Sequence, residues 1–371
     1  MKQIGIGIVG AGYMGKAHSV AMSAVGAVFD TQLRPCLEMI CTSSEAGAAE
    51  KARAFGFRRA TADWRRLVEA PEVEAVIIAS PQSTHREIAL AAFALGKPVL
   101  CEKPLGQNAA ESLEMTEAAE RSGCVNMVGF NYIRTPASQL ARQIVSSGEI
   151  GSITYFRGEH TEDFLADPAT PANWRTRGRA AGNLGDLAPH TLNAAMALMG
   201  PIVELIAEVE TVHKTRQGDD GPETVTNDDH AQIICRFANG VMGSLYSSRI
   251  ATGRKMGYAY EIFGTKGAIR FDQEDQNALW LYKGEDDPAR RGFTKILTSP
   301  DHPDYGAFCL GPGHGTGFGD QIVIEARDFL KAIETKLPVW PTFRDGLLVN
   351  QAIAAAWTSS EQRRWVKLSE V

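Results

Sequence analysis

Apolar and polar positions follow two different rhythms along the chain, and the rhythm changes near residue 130. Residues 4–9 form a short apolar run punctuated by glycine, and a glycine-rich turn occupies 10–15. Helical spacing then continues to about residue 25. Residues 26–35 read as a long connector and 37–41 as a second strand. Residues 46–55 and 61–69 have helical spacing, the latter capped by Thr61 or Asp63. The segment 73–79 (VEAVIIA) is almost continuously apolar, as in a strand covered on both faces. A helix over 84–95, a strand over 98–101, a helix over 109–122 and a strand over 125–129 complete the alternation. Such alternation predicts βαβ units with right-handed crossovers, hence a doubly wound parallel sheet.

Beyond residue 130 the pattern shifts. Residues 136–147 and 183–199 have helical spacing, while 152–160 alternates like a half-exposed strand. Six further strands follow at 202–213, 229–237, 241–248, 257–263, 268–272 and 278–282, with no helix between them. Asn239-Gly240 predicts a type I′ hairpin, and Thr265-Lys266-Gly267 a second tight turn. Consecutive strands predict an antiparallel sheet, so this half reads as α+β. Two helices, 320–335 and 344–360, end the pattern. The expected architecture is α/β, with a Rossmann domain over 1–130. A second domain, 131–371, carries a large open, mainly antiparallel sheet, and its last helix could pack back on the first.

Composition narrows the function classes. The 371 residues suit two domains, and a net charge of −6 without a basic patch argues against a nucleic-acid partner. No apolar run reaches the roughly 18–20 residues of a membrane span. The six cysteines form no C-x-x-C pair and have no histidine at zinc-site spacing, so free thiols and no metal are expected. With no signal-peptide pattern at the start, a cytoplasmic protein is the expectation.

Gly10, Gly12 and Gly15 form G-x-G-x-x-G between the first strand and the first helix. In that context Gly10 makes the tight turn, Gly12 admits a pyrophosphate and Gly15 lets the helix approach the strand. The helix N-terminus would offer unpaired N–H groups to the phosphates, with Tyr13 and Met14 at its start. The acidic residue usual at the end of the second strand is missing; Thr42 and Ser43 stand there. The absence of a basic clamp favours NAD, and NADP stays open.

Three segments bear on chemistry. Cys101-Glu102-Lys103-Pro104 ends the strand over 98–101, where open α/β sheets bind ligands. Lys103 alone could equally be a solvated surface lysine. Asp186 and His190 are four apart, on one helix face, and could be no more than a pair near a helix start. Ser80 and Pro81 close the strand over 73–79; His85 either walls the pocket or begins the next helix. Together these residues suit oxidation of a secondary alcohol. His190 would take the hydroxyl proton, Lys103 would stabilise the developing alkoxide, and Asp186 would orient the imidazole or hold a neighbouring hydroxyl.

These motifs resemble the glucose–fructose oxidoreductase / inositol dehydrogenase / rhizopine-catabolism (Gfo/Idh/MocA) family. The marks are Gly10-Ala11-Gly12-Tyr13-Met14-Gly15, Ala79-Ser80-Pro81 with His85, Glu102-Lys103-Pro104, and Asp186 through His190. The resemblance implies that Lys103 and His190 flank the reacting hydroxyl, with Asp186 in support. It also implies a sheet that packs face to face in homodimers or homotetramers. Met14 through Ser19, the connector at 26–35 and Gly311 through Gly315 look most like the inositol, levoglucosan and L-glucose dehydrogenase group. An NAD(P)-dependent sugar or cyclic-polyol dehydrogenase is thus implied.

Further substrate-pocket candidates are Trp174 and Arg175, Asn131 with Arg134, Asp163, and His314 in a glycine-rich segment suited to a lid. Each has an ordinary alternative as a packed or surface residue. His18, one turn into the first helix, reads as structural. Two rival functions share the fold: a glycosidase that oxidises its sugar transiently, and a nicotinamide-binding sensor without activity.

Overall fold

The computed structural model describes residues 2–371. Its first part runs β1 (Lys2–Val9), α1 (Tyr13–Val28), β2 (Leu33–Cys41), α2 (Glu45–Phe55), β3 (Arg59–Thr61), α3 (Trp64–Glu69), β4 (Ala75–Ile78), α4 (His85–Ala94), β5 (Val99–Glu102), α5 (Ala109–Ser122) and β6 (Asn126–Gly129). All six strands are parallel, in the order β3-β2-β1-β4-β5-β6. Ile6, Ile8, Ile77, Leu100 and Val128 are fully buried in this sheet. That burial on both faces explains the unbroken apolar runs.

The middle of the chain carries α6 (Pro136–Ser147), β7 (Ile153–Thr161), α7 (Asn183–Asp186), α8 (Ala188–Met199), β8 (Ile202–Glu210), β9 (Thr215–Gly218), β10 (Gly221–Thr224), β11 (His230–Phe237), β12 (Met242–Ser248), β13 (Gly257–Gly264), β14 (Gly267–Asp272), β15 (Ala278–Lys283), β16 (Thr294–Leu297) and α9 (Tyr305–Phe308). The chain ends with α10 (Phe318–Thr335), α11 (Phe343–Gln362) and β17 (Val366–Lys367). Nine strands form one sheet, β16-β15-β14-β13-β7-β12-β11-β8-β17, antiparallel except where β7 meets β12. Its inner face is aromatic: Tyr260 stacks on Phe271 with ring centres 5.2 Å apart, and its hydroxyl lies 2.9 Å from Ser138 Oγ of α6.

Two compact units result. One comprises residues up to Arg134 together with Thr316–Leu347; the other comprises Thr135–Gly315 with Leu348–Val371. In the first, α10 packs beside α1, and Phe318 stacks on Tyr13 with ring centres 5.5 Å apart.

Several local expectations are corrected. The connector at 26–35 is only four residues, 29–32, because α1 runs on to Val28 and β2 begins at Leu33. Pro35 sits in the part of β2 that β3 leaves unpaired, an edge position that tolerates proline. The helix at 61–69 starts later: Thr61 ends β3, and Asp63 caps α3 through the N–H of Arg65, 3.0 Å away. The single helix at 183–199 is interrupted at Leu187, since Pro189 has no N–H to continue the ladder. The 239–240 turn is not type I′, for Gly240 alone has a positive φ, 85°, and its N–H bonds to the Phe237 carbonyl. The short strands β3, β9, β10, β16 and β17 were not anticipated.

Candidate active site

In the first unit the glycine turn has the shape a dinucleotide requires. A Cβ at Gly10, which has a φ of 99°, would strike the Ala79 carbonyl, and one at Gly15 would strike the Gly10 carbonyl. A Cβ at Gly12 would meet nothing within 4 Å. The first two glycines therefore serve the backbone, whereas Gly12 leaves open space at the start of α1. No side chain caps that helix end, so its N–H groups point at the opening. Met14 is half-buried and Tyr13 is exposed beside Phe318. At the end of β2, Ser43 is exposed, and the Thr42 hydroxyl donates to the Ser44 carbonyl at 2.9 Å. Neither a carboxylate nor a basic clamp occupies that turn; Glu45 accepts instead from the N–H of Ala62 at 3.1 Å.

Lys103 follows the C-terminal end of β5, and its backbone N–H donates to Glu102 Oε2 at 3.3 Å. Glu102 Oε1 in turn lies 2.8 Å from His18 Nε2. Behind them lies Glu325 of α10, fully buried and 3.5 Å from Arg134 Nε. Burial alone would lower the His18 pKa, but the Glu102 hydrogen bond and the charges of Glu102 and Glu325 outweigh it and raise it. Burial pushes the Glu325 carboxyl up to about 7. His85 is buried. Its Nε2 lies 2.9 Å from the Ser80 carbonyl and its Nδ1 3.1 Å from that of Pro104, so the ring ties the Ser80–Pro81 turn to the Lys103–Pro104 turn. Burial lowers its pKa, and the carbonyls of Ser80, Leu105 and Pro104 oppose that shift. Ser80 Oγ pairs with Thr84 Oγ1 at 2.6 Å, and Pro81 is exposed. Asn131 is buried and donates to Gln321 Oε1 at 2.9 Å; Arg134 is engaged by Asp328 at 2.7 Å.

In the second unit Asp186 ends α7 and His190 lies in the first turn of α8. His190 is only 6% exposed. His160, at the end of β7, packs against it with ring centres 5.5 Å apart. His160 Nδ1 lies 2.9 Å from the Leu187 carbonyl and Nε2 3.1 Å from Glu162 Oε1. Asp186 Oδ2 stands 3.9 Å from Arg175 Nε. The Arg175 guanidinium stacks 4.1 Å over the ring of Trp174, which is 52% exposed. Trp174, Arg175 and Asp186 thus form one polar and aromatic group, and His190 packs with His160. Asp163 is held elsewhere: Lys255 Nζ lies 2.7 Å away, and that contact with the Gly253 N–H keeps its carboxyl below the usual range. His314 is exposed in the turn after α9, its Nδ1 3.5 Å from Cys309 Sγ.

Residues 4–130 match the oxidoreductase family with an NAD-binding Rossmann fold, and residues 138–270 match the GFO/IDH/MocA C-terminal domain. Over its full length the chain is 37% identical to levoglucosan dehydrogenase of Pseudarthrobacter phenanthrenivorans, covering 100% of both. The chain belongs to the GFO/IDH/MocA oxidoreductase family. It is 27% identical to myo-inositol 2-dehydrogenase of Thermotoga maritima, with 99% of each chain covered. Among solved structures it is similar to levoglucosan dehydrogenase in complex with NADH and levoglucosan: TM-score 0.96, 38% identity, 99% of this chain and 100% of that one. The complex of that enzyme with NADH and L-sorbose gives a TM-score of 0.97, with 99% of both chains covered. The family fold accounts for the parallel sheet, the glycine turn and the broad second sheet together. Among the described residues no helix is long and apolar enough to cross a membrane.

Sequence reasoning set His18 aside as structural and passed over His160. The signal for His18 was its place three residues after Gly15, on the helix that opens at the phosphate turn. His160 carried none, because its proximity to His190 depends on how β7 and α8 pack.

Proposed function

We propose that this protein is an NAD-dependent dehydrogenase that oxidises a secondary ring hydroxyl of a levoglucosan-like sugar or cyclic polyol to a ketone. The observation that carries this reading is the full-length likeness to levoglucosan dehydrogenase in its NADH and levoglucosan complex. The open cradle at Gly12, the serine and threonine at the end of β2 and the helix N-terminus fit a dinucleotide without a 2′-phosphate. When bound, NAD would accept the hydride from the substrate carbon.

The chain's own residues would handle the rest. His190 takes the hydroxyl proton, leaving two electrons on oxygen to form the carbonyl as hydride departs. Lys103 holds its ammonium against the oxygen and stabilises its developing negative charge. Asp186 and Arg175 orient neighbouring hydroxyls, and the exposed face of Trp174 packs on the C–H surface of the ring. Ser80, Pro81 and His85 shape the cofactor side, His85 through the two turns it joins. Asn131, Asp163 and His314 complete the list of candidate substrate contacts; Asp163 would first have to leave Lys255.

The same reading includes self-association. On the outer face of the large sheet, Tyr155, Ile206, Ile234, Met242 and Phe263 form an apolar stripe across five neighbouring strands. A second copy covering that stripe would give a homodimer, and two such dimers joined through a further face a homotetramer, distinguished by light scattering.

The deciding test is reduction of NAD and of NADP, followed at 340 nm, with levoglucosan, D- and L-glucose, myo- and scyllo-inositol and simple glycosides. Activity with NAD and one ring polyol is expected. A protein that binds NADH yet reduces nothing, or that only hydrolyses a glycoside, would overturn the reading.

A further inference from the structure

Between β7 and α7 the chain runs from residue 162 to 182 without a strand or an α-helix. Loops longer than about 12–15 residues are uncommon in compact domains and are usually either functional or disordered. This one carries Asp163, Trp174 and Arg175. It is also far from loose, because buried donors take up its backbone carbonyls.

Two arginines do most of this. Arg216 of β9 is 2% exposed; its Nη1 donates to the carbonyls of Asp167 at 2.8 Å and Thr170 at 3.1 Å, and its Nη2 to that of Leu165 at 2.6 Å. Arg249, just after β12, is 1% exposed; its Nη1 donates to the carbonyls of Arg175 at 2.5 Å and Ala181 at 3.4 Å. Asn227 adds bonds from Nδ2 to the carbonyls of Arg175 at 2.9 Å and Gly178 at 3.1 Å, while its Oδ1 accepts from Arg249 Nη2 at 2.7 Å. Asp229 balances the Arg249 charge at 3.1 Å. Six loop carbonyls, from Leu165 to Ala181, are thereby fixed from inside the unit.

A buried ion pair is often no more stabilising than apolar side chains of the same volume. Placing two guanidinium groups in the interior is therefore poorly explained by stability alone. What a guanidinium provides and an apolar group does not is a rigid fork of donors with set directions. Here the forks hold the stretch that presents an exposed Trp174 with Arg175 stacked on it. A preset loop spares a ligand the entropy of ordering it.

We propose that Arg216, Arg249 and Asn227 are positioning residues that hold the 162–182 loop in its ring-binding form before substrate arrives. The inference rests on the reading that this unit receives the sugar or polyol. Removing the fork while keeping charge loosens the loop and weakens substrate binding, with little change at the cofactor.

Arg249→Lys and Arg216→Lys keep the buried cation, and Asn227→Ala, which changes no charge, serves if either lysine variant fails to fold. The test measures KM for the polyol, KM for NAD, kcat, and amide hydrogen exchange across 162–182 in the absence of substrate. The expected result is a KM for the polyol raised tenfold or more, kcat within about threefold, KM for NAD unchanged and faster exchange confined to the loop. Exchange unchanged in the loop, or polyol KM, NAD KM and kcat all moving together, would overturn the proposal. If the wild type oxidises no polyol at all, the functional reading fails, and the exchange data still decide whether the guanidinium forks preset the loop.

Discussion

The imidazole of His18 and the carboxylate of Glu102 meet at 2.8 Å in the interior of the first unit, although they lie 84 residues apart in sequence. His18 comes from the helix that opens at the glycine turn, and Glu102 ends the strand that delivers Lys103. One hydrogen bond therefore joins the helix that opens at the glycine turn to the turn that carries the candidate catalytic lysine. The other Glu102 oxygen accepts the Lys103 N–H, so the carboxylate fixes the lysine's backbone from a position set by His18.

Replacing His18 by alanine leaves Glu102 buried without its main donor. Leaving a buried polar group without its hydrogen-bond partner costs roughly 1–3 kcal/mol. His18→Ala should lower Tm markedly and reduce kcat, whereas His18→Gln, which retains a donor, should recover part of both. Thermal unfolding and steady-state kinetics of the two variants check this, and equal Tm values for His18→Ala and wild type would refute it.

Glu325 gives a pH dependence whose sign is fixed. Its carboxyl is raised from its ordinary 4.5 to about 7 in the folded chain. Between those values the folded state holds a proton that the unfolded state has lost, so stability falls as pH rises. His18, also raised, pushes the same way as pH passes above 6.5. Glu325→Gln fixes the neutral form. Its Tm should decline less than that of wild type from about pH 4.5 to about pH 7. Parallel Tm curves for the two proteins would show that Glu325 does not titrate in this range.

The parallel half was legible because its signals are local. Val73 through Ala79 had to be covered on both faces, and the glycine turn followed a strand and opened a helix. The short strands were not legible: β9 and β10 are four residues each and β17 only two, too short for alternation to register. The connector is shorter than the sequence suggested because α1 continues to Val28 and β2 takes in Pro35 where β3 leaves it unpaired. Lys103, Asp186 and His190 were singled out by motif spacing as candidates. Their supporting shell was not, since His18, Glu325, His160 and Arg249 reach their partners only through tertiary packing.

Gly10 and Gly12 separate folding from cofactor binding. A side chain at Gly10 meets the Ala79 carbonyl on a backbone with φ of 99°, so Gly10→Ala should destabilise the unit. A side chain at Gly12 meets nothing within 4 Å and enters the open space at the start of α1, where the proposed pyrophosphate would lie. Gly12→Val should leave Tm near that of wild type while weakening NADH binding at least about tenfold, a loss of roughly 1.4 kcal/mol. Fluorescence titration of NADH beside thermal unfolding distinguishes the two; undiminished NADH affinity in Gly12→Val would place the pyrophosphate elsewhere.

Lys103 allows the sharpest division between binding and chemistry. Its backbone is fixed by Glu102, and Glu102 by His18, so shortening or neutralising the side chain leaves that anchoring intact. Lys103→Met keeps much of the aliphatic stem and removes only the ammonium. If that charge stabilises the developing alkoxide, its loss appears in the chemical step, and kcat should fall about 10²-fold or more. NADH affinity and Tm should stay close to wild type. A fall confined to the polyol KM, with kcat preserved, would make Lys103 a substrate-binding group and leave charge stabilisation to another residue.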